Sequence, residues 1–172
     1  MRFLMCIVVL LLSAQHVFAQ RGSYITEAEL VAQYLPSATA KTLWLQGEQR
    51  TTAEAIWKRK LPLRISYQQV DNTTLWVLQE IGKEQPITIG VVITDNRIKT
   101  IKVMEYRESR GGEIRYDFFT KQFLDAELQD DMRNLDRNID GISGATLSVR
   151  AMKKIATLAL YLHQQALVNT DN

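Results

Sequence analysis

Residues 87–106 read ITIGVVITDNRIKTIKVMEY, and the order within this stretch decides the fold class. Ile87, Ile89, Val91 and Ile93 recur at every second position, the period that sends one set of side chains to one face of a β-strand. Asp95-Asn96 follows, a pair that tolerates the left-handed backbone of a two-residue hairpin turn. From Arg97 to Tyr106 the apolar alternation returns, so the two runs form an antiparallel hairpin. Ile98 stands out of parity with Ile101 and Val103, which predicts a β-bulge.

Upstream, Leu63, Ile65 and Tyr67 alternate with Arg64, Ser66 and Gln68 as another half-buried strand, and Thr74 to Ile81 continues the series. Before Pro62 the signals are helical, from Ser23 to Leu61. Thr26 and Glu29 make a capping box, after which Leu30, Val31, Tyr34 and Leu35 share a face until Pro36. A second such box, Thr51 to Glu54, opens a segment through Ile56 and Trp57. Trp44 and Trp57 are expected to be core anchors.

Downstream of the hairpin comes the polar run Arg107-Glu108-Ser109-Arg110-Gly111-Gly112, whose glycines permit a positive φ or close backbone approach. Tyr116, Phe119 and Phe123 then recur at helical spacing, and 125–138 reads as a charged surface excursion. The last helix carries an apolar stripe of Ala151, Ile155, Leu158, Ala159, Leu162 and Ala166, with Lys153 and Lys154 expected off it. Strands in the middle and helices at both ends predict a single-domain α+β fold around an antiparallel sheet.

Composition agrees with one folded domain: 172 residues, 46% hydrophobic and 23% charged, with 3 Pro and 8 Gly. Residues 1–19 read as a signal peptide, with Arg2 as a basic start, an apolar run from Phe3 to Leu12, and Val17-Phe18-Ala19 as cleavage signature. Export to the periplasm with Gln20 as the mature N-terminus is therefore expected, the alternative being an uncleaved membrane anchor. The expected domain is 20–172, a helical 20–62 segment followed by a core over 63–172.

Removing the leader takes away Arg2 and no acid, lowering the net charge from +2 to +1, and it also takes Cys6 and His16. A nearly neutral chain argues against a nucleic-acid partner. With no Cys and only His163 left, disulfides, iron–sulfur clusters, Cys nucleophiles and multi-histidine metal sites are excluded. What remains is passive binding, carboxylate chemistry or an organic cofactor.

One run draws the eye: Asp140-Gly141-Ile142-Ser143-Gly144-Ala145-Thr146-Leu147-Ser148, just ahead of the last helix. Small and hydroxyl residues at a helix N-terminus suit a phosphate, because free N–H groups and the positive end of the dipole converge there. Plain capping by Ser143 or Thr146 accounts for the same residues.

The run resembles the flavinylation motif of the FMN-binding domain family, Asp-x-x-Ser/Thr-Gly-Ala-Thr/Ser, through Asp140, Ser143, Gly144, Ala145 and Thr146. That resemblance extends from about Leu63 onward: a strand hairpin, Glu108 with Gly111-Gly112, aromatics ending in Gln122-Phe123, the motif, and a terminal helix. It implies FMN bound covalently, its phosphate joined to the Thr146 hydroxyl, with Glu108, Gly111 and Gly112 near the cofactor. It also implies a flavin transferase using FAD and a divalent cation. The flavin-bearing peripheral subunits of sodium-pumping NADH:quinone reductase and of the Rnf complex carry a Glu-Thr-Pro-Gly-like loop and a membrane helix; Glu108-Ser109-Arg110-Gly111-Gly112 departs from that loop.

The expected function is thus an exported electron-transfer flavoprotein serving a membrane or periplasmic redox partner, quinone-linked or of cytochrome type, more an electron carrier than a stand-alone catalyst. A subunit of a larger membrane redox complex is the alternative within the same chemistry. A cofactor-free periplasmic binding module is the alternative outside it, and a hydrolase built on Asp140 and Glu108 is disfavoured because no spacing pairs them.

Overall fold

The computed structural model describes residues 22–170, so the expected leader and the Gln20 terminus lie outside the described residues. In chain order the elements are α1 (Glu27–Tyr34), β1 (Thr39–Trp44), α2 (Gly47–Trp57), β2 (Arg64–Val70), β3 (Thr73–Ile81), β4 (Pro86–Thr94), β5 (Arg97–Tyr106), a 3-10 turn (Gly112–Arg115), α3 (Asp117–Thr120), a second 3-10 turn (Lys121–Phe123) and α4 (Thr146–Thr170). The five strands form one sheet in the order β1-β2-β3-β4-β5, every neighbouring pair antiparallel. This is the α+β domain that the alternation implies.

The sheet is covered on both faces. Ile87, Ile89, Val91 and Ile93 join Tyr67, Trp76, Ile98 and Ile101 on the side packed by α2 and α4. Leu75, Val92 and Met104 face the other way, against Leu30 and Leu35 from α1 and the turn after it. Gly90, in the middle of β4, lets α1 come close: a Cβ there would lie 2.5 Å from Leu30 Cδ1. All six stripe residues of α4 are buried, whereas Lys154, expected to turn away, lies over the Trp57 ring and pairs with Glu80 at 2.9 Å.

The hairpin forms as read. Thr94 pairs with Arg97, and Asp95 and Asn96 both have positive φ, 50° and 63°. The bulge expected near Ile98 is present, because Ile93 pairs with Ile98 while Val92 pairs with Thr100. A second, unforeseen shift sets Ile89 opposite Val103 and Thr88 opposite Glu105. By advancing the face by one residue it brings Tyr106 round to the α4 side of the sheet, alongside Val103.

Three expectations for the first third of the chain need correction. The 20–62 segment is not wholly helical: Thr39–Trp44 is the edge strand β1, its β-branched threonines and inward Leu43 paired along β2. Thr51 does not open a helix, since α2 already starts at Gly47 and the Thr51 hydroxyl donates back to the Gly47 carbonyl at 3.1 Å. Trp44 is 53% exposed beneath the Arg64 guanidinium, because its position on the edge strand faces away from the core; Trp57 is buried as expected. The capping box of α1 is present in both directions, Thr26 N–H to Glu29 at 2.7 Å and Glu29 N–H to Thr26 at 3.2 Å.

Further along, Tyr116 to Phe123 breaks into one α-turn flanked by 3-10 turns rather than a continuous helix. Phe119 and Phe123 are buried and stack edge to face, while Tyr116 is exposed. Among the described residues no helix is long and apolar enough to cross a membrane, and no group of His, Cys, Asp or Glu is arranged to hold a metal ion.

Candidate functional site

The longest helix among the described residues begins without a side-chain cap. Val149 N–H donates to the Ala145 carbonyl at 2.9 Å, which makes Ala145 the N-cap, and alanine has no oxygen to offer the first turn. Neither Ser143 nor Thr146 occupies that position, so the capping account of this run fails. The N–H groups of Thr146, Leu147 and Ser148 precede the first intrahelical acceptor and meet no other acceptor among the described residues. Three donors and the positive end of a 25-residue helix therefore converge on the space in front of Thr146.

The three hydroxyls of the run differ in their surroundings. Thr146 is exposed and its hydroxyl makes no hydrogen bond among the described residues. Ser148 is buried and its Oγ lies 3.0 Å from the Tyr106 phenol. Ser143 is exposed and does not reach the cavity described below. Gly144 has φ +80° and open space around it, so glycine serves the turn itself rather than clearance.

The Glu108–Gly112 loop is locked onto this first turn. Tyr106 Oη donates to the Arg110 carbonyl, which uses its only proton, so Ser148 must donate to Tyr106. Burial, opposed by the Ser148 bond, pushes the phenol above its ordinary range and keeps it protonated. Gly111 has φ +84°, and a Cβ there would sit 2.9 Å from Tyr106 Oη, 3.1 Å from Ala145 Cβ and 3.1 Å from Ser148 Oγ. The smallness of Ala145 and Gly111 is thus used for mutual packing. Gly112 differs: a Cβ would crowd the far end of the flexible Arg115 side chain, at 2.8 Å, and make ordinary contact with the Tyr106 ring at 3.6 Å.

Glu108 is half-buried and faces the β3–β4 turn. Its Oε1 accepts the backbone N–H groups of Lys83, Glu84 at 2.7 Å and Gln85 at 3.0 Å. Burial alone would raise its pKa, but these three bonds outweigh it and hold the carboxylate below its usual value. Asp140 stands apart, its N–H bonded to Gln122 at 2.7 Å and its carboxylate beside Asn138.

A cavity of about 490 Å³ opens between loop and helix, lined by Lys83, Glu108, Ser109, Arg110 and the Gly144–Ser148 turn. A second, of about 270 Å³, adjoins it across Glu108, Ser109 and Arg110 and is walled by Tyr24, Gly111, Arg115 and Tyr116. Arg115 lies between the two tyrosines, 5.0 Å and 4.6 Å from their ring centres. Tyr24 is held there because 22–24 runs beside β5, with Tyr24 N–H on the Met104 carbonyl.

The structure therefore brings together Thr146, Gly144, Ala145, Glu108 and Gly111, places Gly112 in the second cavity, and leaves Asp140 and Ser143 outside both. Tyr24, Lys83, Tyr106 and Arg115 were not singled out from sequence, and Ser148 only as part of the 140–148 run. Tyr106 and Ser148 are 42 residues apart and meet only after the second bulge. The residues fit a phosphorylated cofactor: uncapped N–H donors, the cations Lys83 and Arg110, and a first cavity whose volume is within the usual range for bound small molecules.

Comparison with known proteins agrees. The model of the FMN-binding domain family matches residues 82–161, which span β4, β5, the loop, the 140–148 run and the first four turns of α4. No curated protein matches the chain. Residues 82–161 are accordingly similar to the FMN-binding domain family, a likeness that points to a flavin-bearing redox protein.

Proposed function

We propose that the chain is an exported electron-transfer flavoprotein that carries FMN as a phosphoester on Thr146. The observation that carries this reading is the first turn of α4, where an exposed, unbonded hydroxyl stands at the head of three N–H groups that no side chain caps. A phosphoryl oxygen there takes the bonds that Ala145 cannot supply. Lys83 and Arg110 add positive charge, and the Tyr106–Ser148 pair holds the loop against the turn.

Attachment requires the Thr146 Oγ–phosphorus bond to form as the pyrophosphate bond of FAD breaks. AMP then leaves and the hydroxyl proton passes to a base. Such a base comes from a flavin transferase, because among the described residues no carboxylate, His or Lys side chain hydrogen-bonds Thr146. Once bound, the isoalloxazine supplies one- and two-electron redox chemistry; the protein supplies position, charge and exclusion of water. The redox partner is membrane-bound or periplasmic, as the expected leader implies.

The test is maturation with a flavin transferase and FAD, followed by mass spectrometry under denaturing conditions. The expected product is heavier by FMN less one water, with the modified peptide spanning Thr146. Thr146→Val should abolish the label and Thr146→Ser retain part of it. Flavin that survives denaturation in Thr146→Val would overturn the assignment.

A further inference from the structure

The opposite flank of the same helix turn opens onto a much larger groove, about 980 Å³, between the end of β3, the 129–141 segment and the first turns of α4. Its lining carries Lys58, Arg133, Arg137, Arg150, Lys153 and Lys154 against only Glu80 and Asp136, an excess of four positive charges on a chain whose whole net charge is +2. The two acids are already engaged. Glu80 binds Lys154 and Arg59, each at 2.9 Å, and Asp136 binds Arg137 at 2.9 Å. The side chains of Lys58, Arg133, Arg150 and Lys153 have no hydrogen bond or ion pair among the described residues; Arg133 meets Asp131 through its backbone N–H, at 2.8 Å.

The groove is also partly apolar. Ile81 and Leu147 line it and stay 53% and 40% exposed, so two aliphatic side chains stand among the cations. Leu147 lines the smaller cavity as well, so one residue separates the groove from the space in front of Thr146.

We propose that this groove docks the acidic face of a redox partner protein, one that places aliphatic side chains on Ile81 and Leu147 and carboxylates on Lys58, Arg133, Arg150 and Lys153. A concave channel accepts a protruding protein segment, which a flat bilayer surface does not offer. Unpaired charges ringing an apolar floor are the pattern that steers association and fixes register. That the bound partner exchanges electrons rests on the reading of Thr146 as the flavin site; the docking does not.

Two probes of known charge test it on the full chain without flavin: an acidic flavodoxin and a basic cytochrome c. Titration of the isotope-labelled chain with flavodoxin should shift the amide resonances of Ile81, Leu147, Arg150 and Lys153. The binding should weaken at least tenfold in the combined Lys58→Glu, Arg150→Glu, Lys153→Glu variant and again at about 0.3 M salt. Unchanged resonances elsewhere in the variant would show that it still folds, and cytochrome c should produce no shifts in the groove. Flavodoxin shifts confined to other surfaces, equal binding by the variant, or a groove that responds only to phosphatidylglycerol vesicles would each overturn the proposal. Because flavin is absent from these titrations, failure of the Thr146 assignment leaves the outcome readable.

Discussion

His163 makes the stability of this protein depend on pH in a range where its carboxylates are silent. The ring is fully buried in α4 beneath the β4–β5 turn, with Nδ1 2.8 Å from Thr74 Oγ1 and Nε2 accepting the Asn96 N–H at 3.3 Å. Accepting at Nε2 requires the proton on Nδ1, so the imidazole is neutral and donates to Thr74. Burial lowers its pKa from 6.5 to about 4, against a weaker opposing pull from Asp95. An unfolded chain binds that proton more readily than the folded one. The stabilisation is therefore complete above about pH 6.5 and is lost as the pH falls towards 4. Over the whole interval the loss is about 3 kcal/mol, and about 2 kcal/mol of it falls between pH 7 and pH 5. The carboxylates whose pKa values are lowered, Glu29, Glu54, Glu108, Asp131 and Asp136, lose their contribution only as the pH falls through their ordinary values of 4.5 and 3.8, at the acid end of that window. Urea unfolding followed by tryptophan fluorescence at pH 7, 6 and 5, at constant ionic strength, reads the slope. In His163→Gln most of the slope should vanish, with the remainder measuring the carboxylates, while stability at pH 7 drops by about 1–3 kcal/mol for the disrupted bonds. Parallel slopes in the two proteins would refute the assignment of a neutral, buried His163.

Four substitutions probe the site and its support. Gly111→Ala should cost about 1–3 kcal/mol in chemical denaturation and impair flavin loading, because it combines a positive φ with overlap at Tyr106, Ala145 and Ser148, whereas Gly112→Ala should leave both nearly unchanged. Tyr106→Phe removes the bonds to Arg110 and Ser148 and should lower stability by about 1–3 kcal/mol, with faster hydrogen exchange in the 108–112 loop. Gly90→Val forces α1 off the sheet at Leu30 and should cost about 1–3 kcal/mol without altering flavin loading, as measured by thermal unfolding and absorbance.

The parts of the fold legible in sequence were those with a long, consistent period. The alternation from Ile87 to Ile93 and the stripe from Ala151 to Ala166 each repeat one spacing often enough to exclude the other, and both faces are buried as read. β1 escaped notice because only Leu43 points inward over six residues, too few for a period to show. Thr51-x-x-Glu54 misled because a capping box is a local pattern that also fits a helix interior; there Thr51 bonds back to Gly47 and Glu54 holds the Leu61 N–H. The 140–148 run was visible because its residues are consecutive. The tyrosines around Arg115 were not, since Tyr24 is 91 residues away and reaches it only by running along the edge of β5.

The span of the family match has a consequence for how the protein can be cut. Residues 82–161 supply two of the five strands and part of α4, and the apolar faces they present are completed by Tyr67, Trp76, Ile56 and Trp57 on one side and by Leu30, Leu35 and Leu75 on the other. A hairpin with one helix and two open faces does not stand alone in water. The flavin-binding part of this chain is thus not an excisable module. A fragment beginning at Gly82, or even at Leu63, would expose the cores that α1, β1 and α2 close, and any fusion or truncation that is meant to keep the site must keep the residues from Gly22 onward.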